Sequence, residues 1–141
     1  MNQQLIFQPV ACLFLLTGLV WAFMYVRRLA FLAKSGVDPQ SIATPELLNA
    51  AIPAGTNNPS NNLKNLFELP VVFYALCIVL YLSSKVDAPV LYAAWAYVGL
   101  RSLHSLIHST VNVVKYRFPA YFLSSLVLWF MVGRYAMSVF Q

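Results

Sequence analysis

Two groups of polar side chains fall inside otherwise apolar stretches, and their spacing is that of groups able to do chemistry. Arg101, His104, His108 and Asn112 follow at steps of three, four and four, which places all four on one stripe of a helix. Asn65 and Glu68 stand three apart and share a helix face. Pro70 comes next, and its missing N–H opens the helix ladder and frees a carbonyl. The chain has only 9% charged residues. Ionisable groups in such a setting are costly; they usually face a bundle interior, hold a partner and mark a functional site. Glu68 reads structurally as a buried acid paired with Arg101, holding two helices in register. It reads functionally as a ligand contact, and the two readings are compatible.

A histidine pair at i and i+4 fits a metal site, with Glu68 as an imaginable third ligand. With two histidines in all, no HExxH and no cysteine beside them, hydrogen bonds between helices suit the pair better, and no metal is expected. Lys115 and Arg117 precede the last apolar stretch, where they anchor a membrane boundary. Arg117 also lies one turn from Tyr121 and near the level of Arg27, Arg28, Lys64 and Asn65. Together these would form a basic, partly buried pocket for a small anion whose carboxylates arginine grips bidentately. The same pocket suits a thiolate, because a guanidinium lowers a thiol's pKa from about 8.5 towards neutrality.

The elements that must hold these groups are apolar stretches of membrane-crossing length, which takes about 20 residues. The pattern predicts an all-α integral membrane protein, one membrane domain over 1–141, with helices at about 5–32, 63–83, 89–113 and 118–140. Short connections after the second and third helices make neighbours antiparallel, giving an up-down four-helix bundle. The one long loop, about 34–62, carries Pro39, Pro45, Pro53 and Pro59 and the run Asn57-Asn58-Pro59-Ser60-Asn61-Asn62, all turn formers. Within it, Thr44-Pro45-Glu46 reads as a helix start with Thr44 as the N-cap. Arg27, Arg28, Lys34 and Lys64 flank the first loop and Lys115 and Arg117 the third, against Lys85 and Arg134 at the other end. The positive-inside rule then puts loops one and three in the cytoplasm and both termini outside.

Composition excludes several classes. At 60% hydrophobic and a mean hydropathy of +0.69, the chain is too apolar for a soluble domain. Its net charge of +5 comes from nine scattered basic residues, not from the basic stripe that a phosphate backbone requires, so no nucleic acid is expected. Cys12 and Cys77 sit in apolar stretches without CxxC spacing and read as packing residues. The start lacks the basic segment of a signal peptide, so the first helix is expected to be retained.

The run Asn65-Leu66-Phe67-Glu68-Leu69-Pro70-Val71-Val72-Phe73 resembles the second-helix signature of the membrane-associated proteins in eicosanoid and glutathione metabolism, the MAPEG family. Arg101 to His108 followed by Arg117 is similar to that family's third-to-fourth-helix region, and Arg27-Arg28-Leu29-Ala30-Phe31 to the basic end of its first helix. Helix 3 is worded most like the bacterial branch, which implies a bacterial inner membrane. The resemblance implies a homotrimer among membrane lipids, with glutathione as cosubstrate between subunits. Asn65, Glu68, Tyr121, Lys64 and Arg27 or Arg28 would contact glutathione, Arg117 would stabilise its thiolate, and Arg101, His104 and His108 would order the bundle behind them. The implied activity is a transferase or peroxidase acting on lipophilic small molecules. The chain departs from the eicosanoid enzymes in having Asn61 and Lys64 where they carry arginines, His108 for a tyrosine, and Phe118 for the serine after the arginine. Two rivals remain on the residues alone: a non-catalytic membrane scaffold of the same fold, and a proton-coupled transporter.

Overall fold

A computed structural model describes residues 1–140, the Ala54 side chain excepted. All regular structure among them is helical. A 3-10 turn over Gln3–Ile6 leads into α1 (Phe7–Ser35), which stops at Gly36, a left-handed residue at φ 63° that closes the helix without a side-chain penalty. A second 3-10 turn, Pro39–Ile42, precedes the short α2 (Pro45–Ala51). Thr44 caps α2 as its sequence predicts, its hydroxyl accepting from the Leu47 N–H at 3.4 Å with Pro45 in the first turn. The Glu46 carboxyl is held below the usual carboxylate range by its own backbone N–H and by the Thr44 hydroxyl. Then come α3 (Ala54–Leu66), α4 (Leu69–Leu82), α5 (Ala88–Ser109) and α6 (Val114–Val139).

Three stretches are long and apolar enough to cross a membrane: Gln3–Ser35, Gly55–Leu82 and Val114–Val139. The first two each join adjoining elements. Helix α5 has 22 residues, about 33 Å at 1.5 Å per residue, so it has the length. Its stripe of arginine and histidine lowers its apolar character.

Helix α1, the joined α3 and α4, α5 and α6 run in alternating directions. Arg28 near the end of α1 reaches Ser60 in α3, while Gln3 before α1 clasps Val86 just after α4. At the far end Asp87 caps α5 through Val90 N–H and also pairs with Arg134 of α6. The core between them is apolar, with Ile6, Leu13, Phe73, Leu80, Tyr97, Leu128 and Met131 buried and Phe73 stacked on Tyr97 at 4.6 Å. Cys77 lies in this core and Cys12 on the exposed face of α1. The outer faces carry Phe14, Leu15, Leu19, Leu82, Leu106, Phe122, Trp129 and other large apolar side chains, a surface suited to lipid rather than water.

The helix limits differ from the expected ones in three places, each for a physical reason. The second long helix begins at Ala54 rather than 63, so the asparagine run is helical. Asparagine breaks helices when its amide competes for the backbone; here two of these amides, those of Asn58 and Asn62, are engaged by the end of α5 instead. The helix breaks at Phe67 and Glu68, because Pro70 cannot donate to the carbonyl four residues back and crowds it. Asn65 and Glu68 therefore do not share a continuous helix face. Helix α5 ends at Ser109, not 113, and Asn112 leaves its stripe for a left-handed position at φ 52°. The Asn112 N–H bonds the Ile107 carbonyl at 2.7 Å, which closes the turn and lets α6 begin at Val114, not 118.

Candidate functional site

Helix α3 presents Asn58, Asn62 and Asn65 to α5 at steps of four and three, one stripe of the helix. Each amide latches a different level. Asn58 donates to the Thr110 carbonyl at 3.3 Å, Asn62 to the Ser109 hydroxyl at 3.0 Å, and Asn65 faces His108 Nδ1 at 3.3 Å. Sequence reasoning passed over Asn58 and Asn62 as loop residues; the four-and-three spacing with Asn65 is the signal that would have found them.

The Asn65 amide also donates to the Asn61 carbonyl at 3.3 Å. A carbonyl only accepts, so this contact fixes which end of the amide is nitrogen. Its second proton then goes to His108 Nδ1, and a neutral His108 carries its proton on Nε2. His104 is set the other way: its Nδ1 donates to the Arg117 carbonyl at 3.0 Å, leaving the Nε2 of a neutral ring unprotonated, buried and without a partner among the described residues. The two rings meet edge to face at 5.3 Å. Arg101, His104 and His108 are all buried on α5, on the common stripe their spacing predicts.

These groups close around a cavity of about 180 Å³ between α3, α5 and α6. Asn65, His104, His108, Arg117, Phe118 and Tyr121 line it, with Val114. Arg117 also bonds Asn112. The Tyr121 ring is shared between the cavity and Arg101, whose guanidinium carbon stands 4.6 Å from its centre and 5.4 Å from that of Tyr97. Arg101 is fully buried, and none of its guanidinium nitrogens meets a hydrogen-bond acceptor among the described residues. The cavity wall thus carries the Arg117 guanidinium and the His108 Nε2–H beside acceptor atoms of Asn65 and His104, under the positive field of two arginines.

Four of the expected residues stand apart from this cavity on the one chain. Glu68 is exposed at the helix break and forms no ion pair with Arg101; among the described residues the ion pair found joins Arg134 and Asp87. The break turns Glu68 away from the face that holds Asn65, so the expected buried Glu68–Arg101 pair does not form. Lys64 is exposed. Arg27 lies over the Phe23 ring at 5.5 Å and lines a separate concavity of about 460 Å³ with Lys34 and Thr56, while Arg28 reaches the Ser60 hydroxyl at 3.4 Å. Among the described residues, no three histidine, cysteine or acidic side chains come together as metal ligands.

Membrane-length apolar helices around a small polar cavity with Arg117 in its wall define a helical membrane protein. The chain belongs to the MAPEG family, whose family model matches residues 6–137. No curated protein and no solved structure matched it.

Proposed function

We propose that the protein is a glutathione-dependent membrane enzyme, a transferase or peroxidase for lipophilic electrophiles or hydroperoxides. The observation that carries this reading is Arg117, held at a cavity whose other polar walls are Asn65, His108 and Tyr121. A guanidinium there favours the thiolate form of a bound thiol. The His108 Nε2–H, the Asn65 amide and the Tyr121 hydroxyl suit the peptide and carboxylate groups of glutathione. Family membership is consistent with a glutathione-related role.

In this reading the thiolate sulfur attacks an electrophilic carbon, forming the C–S bond, and the displaced electron pair leaves with the leaving group or takes up a proton. With a hydroperoxide, sulfur takes the terminal oxygen, the alcohol departs, and a second glutathione releases water and the disulfide. The substrate reaches the sulfur sideways from the bilayer, past the apolar outer faces of the helices.

The bundle would cross the membrane four times, α5 included, with the basic end in the cytoplasm of a bacterial cell and the termini outside. Three such chains would assemble. The cavity of one chain, about 180 Å³, is below the roughly 300 Å³ at which ligand pockets begin, which favours a site completed by a neighbour. Glu68, Lys64 and Arg27 or Arg28, set apart on the single chain, would be the groups that a neighbouring subunit brings to glutathione.

Purified protein titrated with glutathione tests this reading. The expected result is saturable binding with an ultraviolet thiolate band that disappears in Arg117→Ala. A well-folded protein that binds no glutathione by calorimetry would overturn the enzyme reading and favour a scaffold. Proton flux in liposomes, abolished by Glu68→Gln, would overturn it in favour of a transporter.

A further inference from the structure

Arg117 is the last member of a hydrogen-bonded chain that begins on α3. The Asn58 Nδ2 donates to the Thr110 carbonyl at 3.3 Å, and its Oδ1 accepts from Asn112 Nδ2 at 2.9 Å. Asn112 Oδ1 in turn accepts from the Arg117 guanidinium. The direction of every bond is determined by the ends. The Thr110 carbonyl can only accept, which turns the Asn58 amide nitrogen towards it and its oxygen towards Asn112. A guanidinium can only donate, which agrees with the remaining end of the Asn112 amide being oxygen. Asn58 is 6% exposed, so the first amide is fixed away from water. Asn112 is fixed by its backbone, held left-handed at φ 52° by the Ile107 carbonyl.

A free arginine side chain samples many rotamers, and a flexible guanidinium stabilises a nearby anion only for the fraction of time it points there. We propose that Asn58 and Asn112 are positioning residues for Arg117. They hold its guanidinium at the cavity through one of its five donors, leaving the others to meet the sulfur of the bound thiol. This rests on the reading of Arg117 as the thiolate-holding group. The arrangement also joins the two walls of the site: α3 carries Asn65 on the cavity and, seven residues earlier, Asn58 at the root of the chain leading to Arg117.

Asn112→Gly is the sharpest probe, because glycine keeps the left-handed backbone and removes only the amide. In full-length protein in nanodiscs, the pH midpoint of the thiolate band of bound glutathione should rise by about one unit, a tenfold loss of thiolate stabilisation. Glutathione affinity below the midpoint should stay within about threefold of the unaltered protein, a distinction that a general loss of folding would not produce. Asn58→Ala should shift the midpoint the same way by less, and Asn57→Ala, which lies off the chain of bonds, should not shift it. Midpoints unchanged in Asn112→Gly and Asn58→Ala, with the band still lost in Arg117→Ala, would overturn the proposal and leave the asparagines as latches alone. Should the unaltered protein show no thiolate band, the enzyme reading fails, and nitrogen NMR of the Arg117 side chain decides the positioning separately. Distinct Arg117 guanidinium signals that collapse in Asn112→Gly and Asn58→Ala but persist in Asn57→Ala support it; signals unchanged in all three overturn it.

Discussion

Replacing Gln3 by alanine removes a two-point clasp at the end of the molecule opposite the cavity. The Gln3 amide donates to the Val86 carbonyl at 3.1 Å and accepts from the Val86 N–H at 2.8 Å, so it acts as an extra peptide group against the α4–α5 turn. Val86 is 3% exposed, and water does not readily replace either bond. Two neutral hydrogen bonds at about 0.5–1.5 kcal/mol each give a loss of about 2 kcal/mol, with the upper half favoured because both backbone groups are left buried. If the clasp opens locally, amide exchange at Val86 should speed up about 30-fold, since each 1.4 kcal/mol is a factor of ten. If it opens only with the whole bundle, the same loss should lower the melting temperature by roughly 8 °C, at about 4 °C per kcal/mol for this size. Gln3→Met, which keeps the side chain's length without its polar ends, should match alanine. Hydrogen exchange by mass spectrometry and a thermal melt in one detergent cover both cases. Val86 exchange within threefold of the unaltered protein, together with an unchanged melt, would refute the clasp.

Asn62 makes one good hydrogen bond, to the Ser109 hydroxyl, while its carbonyl oxygen has no partner among the described residues. Asn62→Ala should therefore cost about 1 kcal/mol or less, and Asn62→Asp several, because the new carboxylate would be fully buried. Melts ranking the two the other way would sink this account of α3 against α5. Asp87 both caps α5 and pairs with Arg134, with the pair's side chains 44% and 37% exposed. The ion pair is thus worth at most about 1 kcal/mol and the cap about 1 more, so Asp87→Ala should destabilise more than Asp87→Asn. Added salt should narrow the gap between Asp87→Asn and the unaltered protein; a salt-independent gap would show that the ion pair contributes nothing.

The stripe Arg101, His104 and His108 was legible because helix periodicity alone places it, and burial follows when the other faces are apolar. Arg117 and Tyr121 were placed on one turn for the same reason and do line one cavity. What escaped were residues whose backbone state depends on a distant partner. Asn58 and Asn62 belong to a run that reads as a loop until α5 supplies acceptors for the amides. Asn112 reads as one more helical step until the Ile107 carbonyl captures its N–H. Glu68 was placed beside Asn65 although Pro70, read as opening the ladder, is what separates them. A proline two positions into a helix tends to mark its start, and the pattern from Leu69 onward is better read that way.

Arg101 shows how the polar interior is organised. A buried guanidinium without a counter-charge costs several kcal/mol, and the faces of Tyr97 and Tyr121 return about 2 kcal/mol each at most. The nearest alternative, a carboxylate from the same chain, is not used: Glu68 stays outside. Neutralising Arg101 with an acid would also lower the positive potential around Tyr121 and the cavity it shares with Arg117. Leaving Arg101 flanked by rings keeps that potential at the cavity wall. An anion bound there relieves the repulsion between the two guanidinium groups, so ligand binding and the stability of this half of the bundle are coupled by the same charges. A neutral His108 could contact the anion through its Nε2–H with no change of charge, its ring held by the Asn65 amide. The charge sits on the arginines and the directionality on the imidazole that the Asn65 amide orients.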